Sequence, residues 1–444
     1  MAGIGKITVA RNLNVAALIL LSGCMGLAHA DVTRMKSSVN REETPNKIQE
    51  NLILPYFFST ETMGFNLGVG GMLKGWHQDQ MTIGATAFKG DVSHGFWAGV
   101  FNYRINDSER WYLSANGLLA YFPDQRAYTG AHRPVAPGAV TPGSNESNDE
   151  QYLEADGDSN WFDAKLEYAL PFGATKDSGM VDYQLKNGML VSAPSGGKEW
   201  NPLTSGAMVA TMRYFSRFQS FEFESQQLSG DMSAVEFGLL YDNTDFGTNP
   251  SFGSRQYVSY TTSSPWGDKD YDWNLWQFSA SKFFSFGSSE FARQRVLAVN
   301  FWTAYSPSWN LLKTPNGSTV ITDAAPYNEG ATLGGFKRMK GYDFYRFHDK
   351  AAIYATAEYR HTLKYNPIED VQWLKFLKLD WFQLVAFAEA GRVAPEYDFG
   401  TLTDDLKFDY GVGLRAMMAG LVVRTDLAIS DEGTNMWVMV DHPF

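Results

Sequence analysis

Apolar and polar residues alternate through most of this chain. From Lys350 to Leu363, Ala351, Ile353, Ala355, Ala357 and Tyr359 fall on one side, and Ala352, Tyr354, Thr356, Glu358 and Arg360 fall on the other. A period of two is a strand with one apolar and one polar face. Comparable stretches run at Leu52–Thr60, Gly64–Gly75, Gln80–Lys89, Phe96–Ile105, Arg110–Phe122, Trp161–Phe172, Met180–Val191 and Ser233–Asn243. They continue at Ser254–Thr262, Asn274–Phe286, Arg295–Tyr305, Lys350–Leu363, Trp381–Arg392, Phe408–Met418, Leu421–Ser430 and Thr434–Phe444. The pattern predicts an all-β fold of about sixteen strands, each with its connection taking about 25 residues, which suits an antiparallel barrel. Ala207–Glu224 alternates too and reads as a hairpin inside a loop, and the first strand has the alternative of belonging to the leader. Either change alters the strand number and leaves the class.

A barrel with one apolar face has two solutions. In water that face points inward, and in a membrane it points out to lipid while the polar face lines the lumen. With the first strand taken upward, the long connections Pro123–Asn160, Ser192–Met232 and Ser306–Asp349 all land on one side. Membrane barrels of bacteria have that asymmetry, with short turns facing the periplasm. Lys364–Asp380 is a longer periplasmic connection than usual, and the pattern supplies no reason for it.

Composition decides for the membrane. Aromatics make up 15% of the chain and glycine is abundant at 41 residues, as aromatic girdles and a glycine-punctuated wall require. After the N-terminus, no stretch reaches the roughly 18 unbroken apolar residues of a membrane helix. Lys6 and Arg11, the apolar run Val15–Leu21 and the small residues ending in Ala28-His29-Ala30 have the layout of a secretory signal. The expected divisions are therefore residues 1–30 as signal peptide, 31–50 as a short, polar, flexible periplasmic leader, and 51–444 as an outer-membrane barrel. Leu21-Ser22-Gly23-Cys24 is a rival cleavage site that would leave Cys24 lipidated. Charge, at a net -12, forms no basic stripe, which argues against nucleic acid as a partner; outer-membrane lipid is the expected surrounding.

Candidate chemistry is sparse. His77, His94, His132, His348, His361 and His442 form no pair at metal-ligand spacing and none adjoins a nucleophile in a recognisable run. The expectation is no enzyme, no cofactor and no metal. His361 belongs on the lipid side of its strand, and His348 is expected to serve as a structural hydrogen-bonding group. Gly68–Gly71 lacks the strand-to-helix setting of a phosphate loop and reads as tightly curved wall. Alternation puts Glu358, Arg360, Phe387, Glu389, Gly391, Asp409, Gly411, Gly413, Arg415, Arg424 and Asp426 on the lumen side, so charges of both signs face one another inside. Phe382, Leu384, Leu414, Leu421, Val423 and Leu427 face lipid. Pro55 in the first strand and Pro443 in the last remove ladder hydrogen bonds and mark a weak seam, with Phe444 as the terminal residue.

Several motifs stand in an order that resembles one family. Gly334-Gly335 precede Met339-Lys340-Gly341-Tyr342, then Arg346-Phe347-His348-Asp349, then Glu358-Tyr359-Arg360. Tyr241-Asp242-Asn243 leads to Asn249-Pro250-Ser251-Phe252-Gly253, and Phe387-Ala388-Glu389-Ala390-Gly391 is followed by Gly411-Val412-Gly413-Leu414-Arg415 and Arg424-Thr425-Asp426. This set resembles the bacterial surface antigen barrels, the family of the BamA and TamA assembly factors, in a short form without POTRA domains. The departures are lysine for arginine at Lys340 and glutamate for aspartate at Glu389. The resemblance implies a long extracellular loop folded back into the lumen, with Lys340 paired to Glu389. It further implies a role in inserting, translocating or remodelling outer-membrane components through the seam, with the barrel assembly machinery as partner during biogenesis. A periplasmic or lipoprotein partner would replace the missing POTRA surface. The alternative is a passive channel or structural barrel.

Overall fold

The computed structural model describes residues 33–43, 49–60, 64–106, 108–223, 226–229, 231–263 and 272–444. The predicted signal segment with Cys24 lies outside them. Sixteen strands build the barrel sheet: β1 Glu50–Thr60, β2 Gly64–Lys74, β3 Thr82–Gly90, β4 His94–Arg104, β5 Trp111–Ala127, β6 Leu153–Ala169, β7 Ala207–Phe223 and β8 Met232–Asp242 form the first half. The second half is β9 Gly253–Ser263, β10 Asn274–Ser285, β11 Ala292–Tyr305, β12 Ala351–Leu363, β13 Leu379–Ala394, β14 Lys407–Met418, β15 Leu421–Ile429 and β16 Thr434–Val440. Each strand pairs antiparallel with the next, from β1 to β16. Among the described residues, β16 and β1 share no ladder pair.

Burial follows the alternation. In β12, Ala352, Tyr354, Thr356, Glu358 and Arg360 are buried, while Ala355, Ala357 and Tyr359 are exposed. The exposed face is apolar and its aromatics fall into two bands. Phe65, Phe96, Phe218, Trp276 and Phe408 lie toward the loop end, and Trp111, Phe284 and Tyr359 toward the turn end, each at least 40% exposed. Large aromatics left open on the outside of a barrel would be costly in water and are favourable at the two lipid–water interfaces. No described helix is long and apolar enough to cross a membrane; the strands do the crossing.

Three expectations are corrected. Met180–Val191 is not a wall strand: Val181–Lys186 and Met189–Leu190 form a three-stranded sheet with Ser37–Arg41. Its first strand has only 6 residues before Asn187 and Gly188 turn the chain, both at positive φ, too short to cross a bilayer. The wall position goes to Ala207–Phe223, whose 17 residues pair with both β6 and β8. Consequently the long connection between β6 and β7, residues 170–206, lies at the turn end, not outside. The leader is the second correction. Met35, Lys36 and Ser38 are buried, and Ser37–Arg41 pairs parallel to Val181–Leu185. Tyr183, Leu185 and Met35 pack on the inward-facing Trp381, Met417 and Val422, so leader and connection together fill the turn-end mouth. The third concerns the C-terminus. β16 stops at Val440; Asp441 takes φ 78 and its N–H bonds to Val422 O at 2.6 Å, which carries Pro443 and Phe444 off the sheet and into the lumen. Pro55 does lie in β1, opposite Val69.

Candidate functional site

The connection between β11 and β12 folds inward. Ala331–Leu333 and Phe347–Asp349 pair with each other, and the residues between them form a tip that packs in one apolar cluster with Phe215, Trp273, Trp302, Tyr354 and Val393 of the wall. Close packing depends on two glycines. A Cβ at Gly334, where φ is 108, would sit 2.2 Å from Asp343 O; one at Gly341 would sit 2.7 Å from the Asp409 Cβ. Only glycine admits both the left-handed backbone and that approach. Met339 holds φ 56 without that freedom, a conformation that surrounding contacts must enforce.

Those contacts centre on Lys340. Its ammonium forms an ion pair with Glu389 on β13, both side chains wholly inaccessible to solvent. Its backbone N–H donates to the other carboxylate oxygen of Glu389 at 2.6 Å, and Tyr354 OH donates to Glu389 at 2.5 Å. The ammonium also lies over the Phe387 ring at 4.1 Å. The adjoining Gly341 N–H donates to Asp409 on β14 at 3.1 Å, and Trp437 on β16 donates to Lys340 O at 2.7 Å. Tyr342 OH donates to Asp431 at 2.6 Å. Arg346 grips Glu432 through two nitrogens at 2.7 and 2.8 Å and donates to Ser147 O at 2.6 Å. Burial raises the Glu432 carboxyl above its ordinary value, with Arg346 acting against it.

The remaining wall residues fall into two further groups. Glu358 accepts from Arg360 at 2.8 Å and Arg415 at 2.7 Å, and Arg415 lies 2.6 Å from His442 Nδ1 in the tail. Burial, then the surrounding arginines, pushes His442 well below its ordinary value, so its ring is neutral and accepts. Phe444 is stacked with Phe283 and lies under Arg360 at 5.1 Å. Arg424 pairs with Asp426 and donates to Phe336 O in the loop at 2.7 Å. Gly391 sits where the loop passes closest to β13, against Leu333 and Met339. At the mouth, Lys36 pairs with Glu167 at 2.7 Å, both buried. A cavity of about 170 Å³ with a mixed lining remains on the β7–β12 side, bounded by Arg213, Glu236, Arg255, Trp273 and the loop.

A fully buried cation at the tip of a glycine-framed inward loop is thus matched to one acidic residue on the facing strand. The same region, residues 145–435, matches the Omp85 superfamily domain. The chain belongs to the Omp85 superfamily. It is an outer-membrane β-barrel similar to BamA and CdiB. Against CdiB from Escherichia coli the identity is 11%, with a TM-score of 0.51 over 90% of this chain and 62% of that one. CdiB from Acinetobacter baumannii gives 10% and 0.47, over 88% and 58%. BamA from Haemophilus ducreyi lacking POTRA domains 1–3 gives 11% and 0.44, over 88% and 69%. The chain thus spans less than two thirds of either CdiB. Comparison with curated proteins returns no match.

The structure brings Gly334, Gly335, Met339, Lys340, Gly341 and Tyr342 together with Phe387, Glu389 and Gly391, as the Omp85 resemblance implies. Glu358, Arg360 and Arg415 form a separate cluster below them. Sequence reasoning missed Asp431, Glu432 and Ser147, which hold Tyr342 and Arg346, and it missed Lys36 and His442. Lys36 had no signal, since the apolar residues around it, Val32, Met35 and Val39, keep no period of two. The partners in the extracellular connections had none either, since their loops meet only in three dimensions.

Proposed function

We propose that this barrel assists the insertion, translocation or remodelling of outer-membrane components through the seam between β16 and β1, with no enzymatic step. The observation that carries this reading is the seam itself. Ladders join every successive pair of strands, yet among the described residues none joins the last to the first, and β16 has 7 residues against 11 in β1. An unpaired edge is a template for an incoming strand. Pro55 adds to it, since it offers no N–H. The competing reading is a passive channel. A lumen filled by loop, tail and mouth sheet counts against steady conduction. A periplasmic or lipoprotein partner belongs to the same proposal, as the group that delivers substrate.

The test is reconstitution in liposomes with an unfolded outer-membrane barrel as substrate, using the native chain and a variant with one cysteine on β1 and one on β16. Faster substrate folding should disappear on crosslinking and return on reduction. Acceleration that survives a confirmed crosslink would remove the seam from the mechanism, and steady conductance without acceleration would favour the channel.

A further inference from the structure

The connection between β12 and β13 does not hang free below the barrel. It contains a short 3-10 turn, Gln372–Leu377, with Lys378 in the left-handed conformation ending it. Leu377 is buried against Ala416 and Met418, with Ile368, Leu374, Phe382 and Val423 packed around them. Ala416 and Met418 lie on the outward, lipid-facing parity of β14, as Phe382 does on β13 and Val423 on β15. Outward residues in the middle of that wall are exposed, such as Leu384 and Val412, yet Ala416 and Met418 are 9% and 1% exposed. The connection therefore folds up against the outside of the barrel at its turn-end rim. Leu54, on the inward parity of β1, packs on the same cluster, and Lys378 reaches Glu50 at 2.8 Å. The element thus ties the foot of the first strand to the outer face of the last ones.

Its other side exposes large aromatic rings. Trp373 and Tyr365 are 74% exposed and Phe376 is 52% exposed. Glu369, Asp370, Gln372 and Lys375 are exposed beside these rings, so the segment is amphipathic, and exposed apolar groups gathered in this way mark an interaction surface. Here the patch is continuous with the lipid-facing wall and sits just beyond the turn-end aromatic band of Trp111, Phe284 and Tyr359. Aromatic rings and lysines at that depth are the residues that settle at a headgroup boundary, the rings in the acyl region and the ammonium groups in water.

We propose that residues 365–377 are an interfacial anchor that enters the periplasmic leaflet at the foot of the seam, with Trp373 and Phe376 among the lipid chains. This rests on the barrel crossing the membrane and not on what passes through the seam. The anchor gives the long connection a purpose: it fixes the rim of β13–β15 at a set depth in lipid beside β1.

The test places a fluorescent thiol label at Trp373→Cys, Phe376→Cys, Tyr365→Cys or Glu369→Cys, one at a time. A Cys24→Ser background leaves the introduced thiol alone, since the chain has one cysteine. Each protein is reconstituted in phosphatidylcholine–phosphatidylglycerol vesicles, and its heat-modifiable mobility is checked first. Labels at 373 and 376 should lose fluorescence to brominated acyl chains and resist aqueous iodide, with 369 showing the reverse. Position 365 repeats the measurement should one variant misfold. Iodide quenching at 373 and 376 equal to that at 369 would overturn the proposal. So would protection from both quenchers, which would mean that protein covers the patch.

Discussion

Replacing Lys340 by methionine is the sharpest perturbation of the lumen lock. Methionine keeps most of the length of the side chain and removes the charge. Glu389 would then remain buried as a carboxylate with two of its donors, the Lys340 N–H and Tyr354 OH, still in place. Losing one partner of a buried pair costs about 3 to 5 kcal/mol, and the surviving donors place this case at the lower end. Glu389→Gln leaves the ammonium over the Phe387 ring with Asp409 as its remaining acidic neighbour, and a loss at the lower end of that range is expected. In the double variant neither charge is left alone and the glutamine oxygen still accepts from Tyr354, so its loss should be about 1 to 2 kcal/mol, well below the sum. Exchange of the charges, Lys340→Glu with Glu389→Lys, should recover less, because a lysine at 389 cannot accept from the tyrosine or the backbone. The assay is hydrogen exchange of amides 334–346 in detergent, which reads the free energy of undocking the loop. Strict additivity in the Lys340→Met and Glu389→Gln cycle would refute the pairing, and protection unchanged in both singles would show that the loop is held elsewhere.

Three other perturbations follow. Arg346→Lys trades a two-nitrogen grip on Glu432 for a point charge and drops the bond to Ser147 O, so loop protection should fall by about 1.5 to 3 kcal/mol by the same measurement. Lys36→Glu sets a carboxylate against the buried Glu167 and should displace the leader, seen as raised conductance in planar bilayers; unchanged conductance would show that the leader does not close the mouth. The pair His348 and Asp349 gives opposed pH dependences. Burial pushes His348 from 6.5 down to about 3, so between those values the undocked loop binds the extra proton and docking strengthens as pH rises. Burial raises Asp349 from 3.8 to about 7, so the docked loop binds the extra proton in that window and docking weakens as pH rises. Native protection should be nearly flat from about pH 4 to 6.5; His348→Gln should leave it falling with pH, and Asp349→Asn should leave it rising.

The wall was legible because its rule is local. Alternation alone separates Glu358 and Arg360 from Tyr359, and it does so whatever the strand pairs with. The inward loop was legible through the glycines and Lys340, since a close approach restricts which residues can stand there. Met180–Val191 misled because it alternates as a wall strand does. The distinguishing feature is length, 6 residues before a turn against 17 without one. The leader misled for another reason: Ser37–Arg41 finds its partner strand about 140 residues away, and such pairing leaves no mark on periodicity. The tail combines both failures. Thr434–Phe444 alternates to its end, but one left-handed residue at Asp441 decides that Phe444 faces Arg360 and not lipid.

The distribution of loop contacts bears on how this barrel could open. The tip is held by Glu389 on β13, Asp409 on β14, Arg424 on β15 and Trp437 on β16. At the loop's base, Arg217 of β7 pairs with Glu329, and at the tip Arg338 covers Trp302 of β11. None of these contacts involves β1–β4. A route straight down the lumen must break the Lys340–Glu389 pair and the Arg346 grip, and must also expel the Lys36–Glu167 pair at the mouth. Each buried ion pair broken on one side costs several kcal/mol, and their sum is comparable with the whole stability of a typical fold. Parting β16 from β1 breaks none of them. At its foot Leu54 packs in the apolar cluster on the outer face of β14 and β15, contacts that can be exchanged for lipid at little cost, and Lys378 forms a partly exposed ion pair with Glu50. If the barrel opens as proposed, parting the seam leaves the loop docked on the wall at β7 and from β11 to β16.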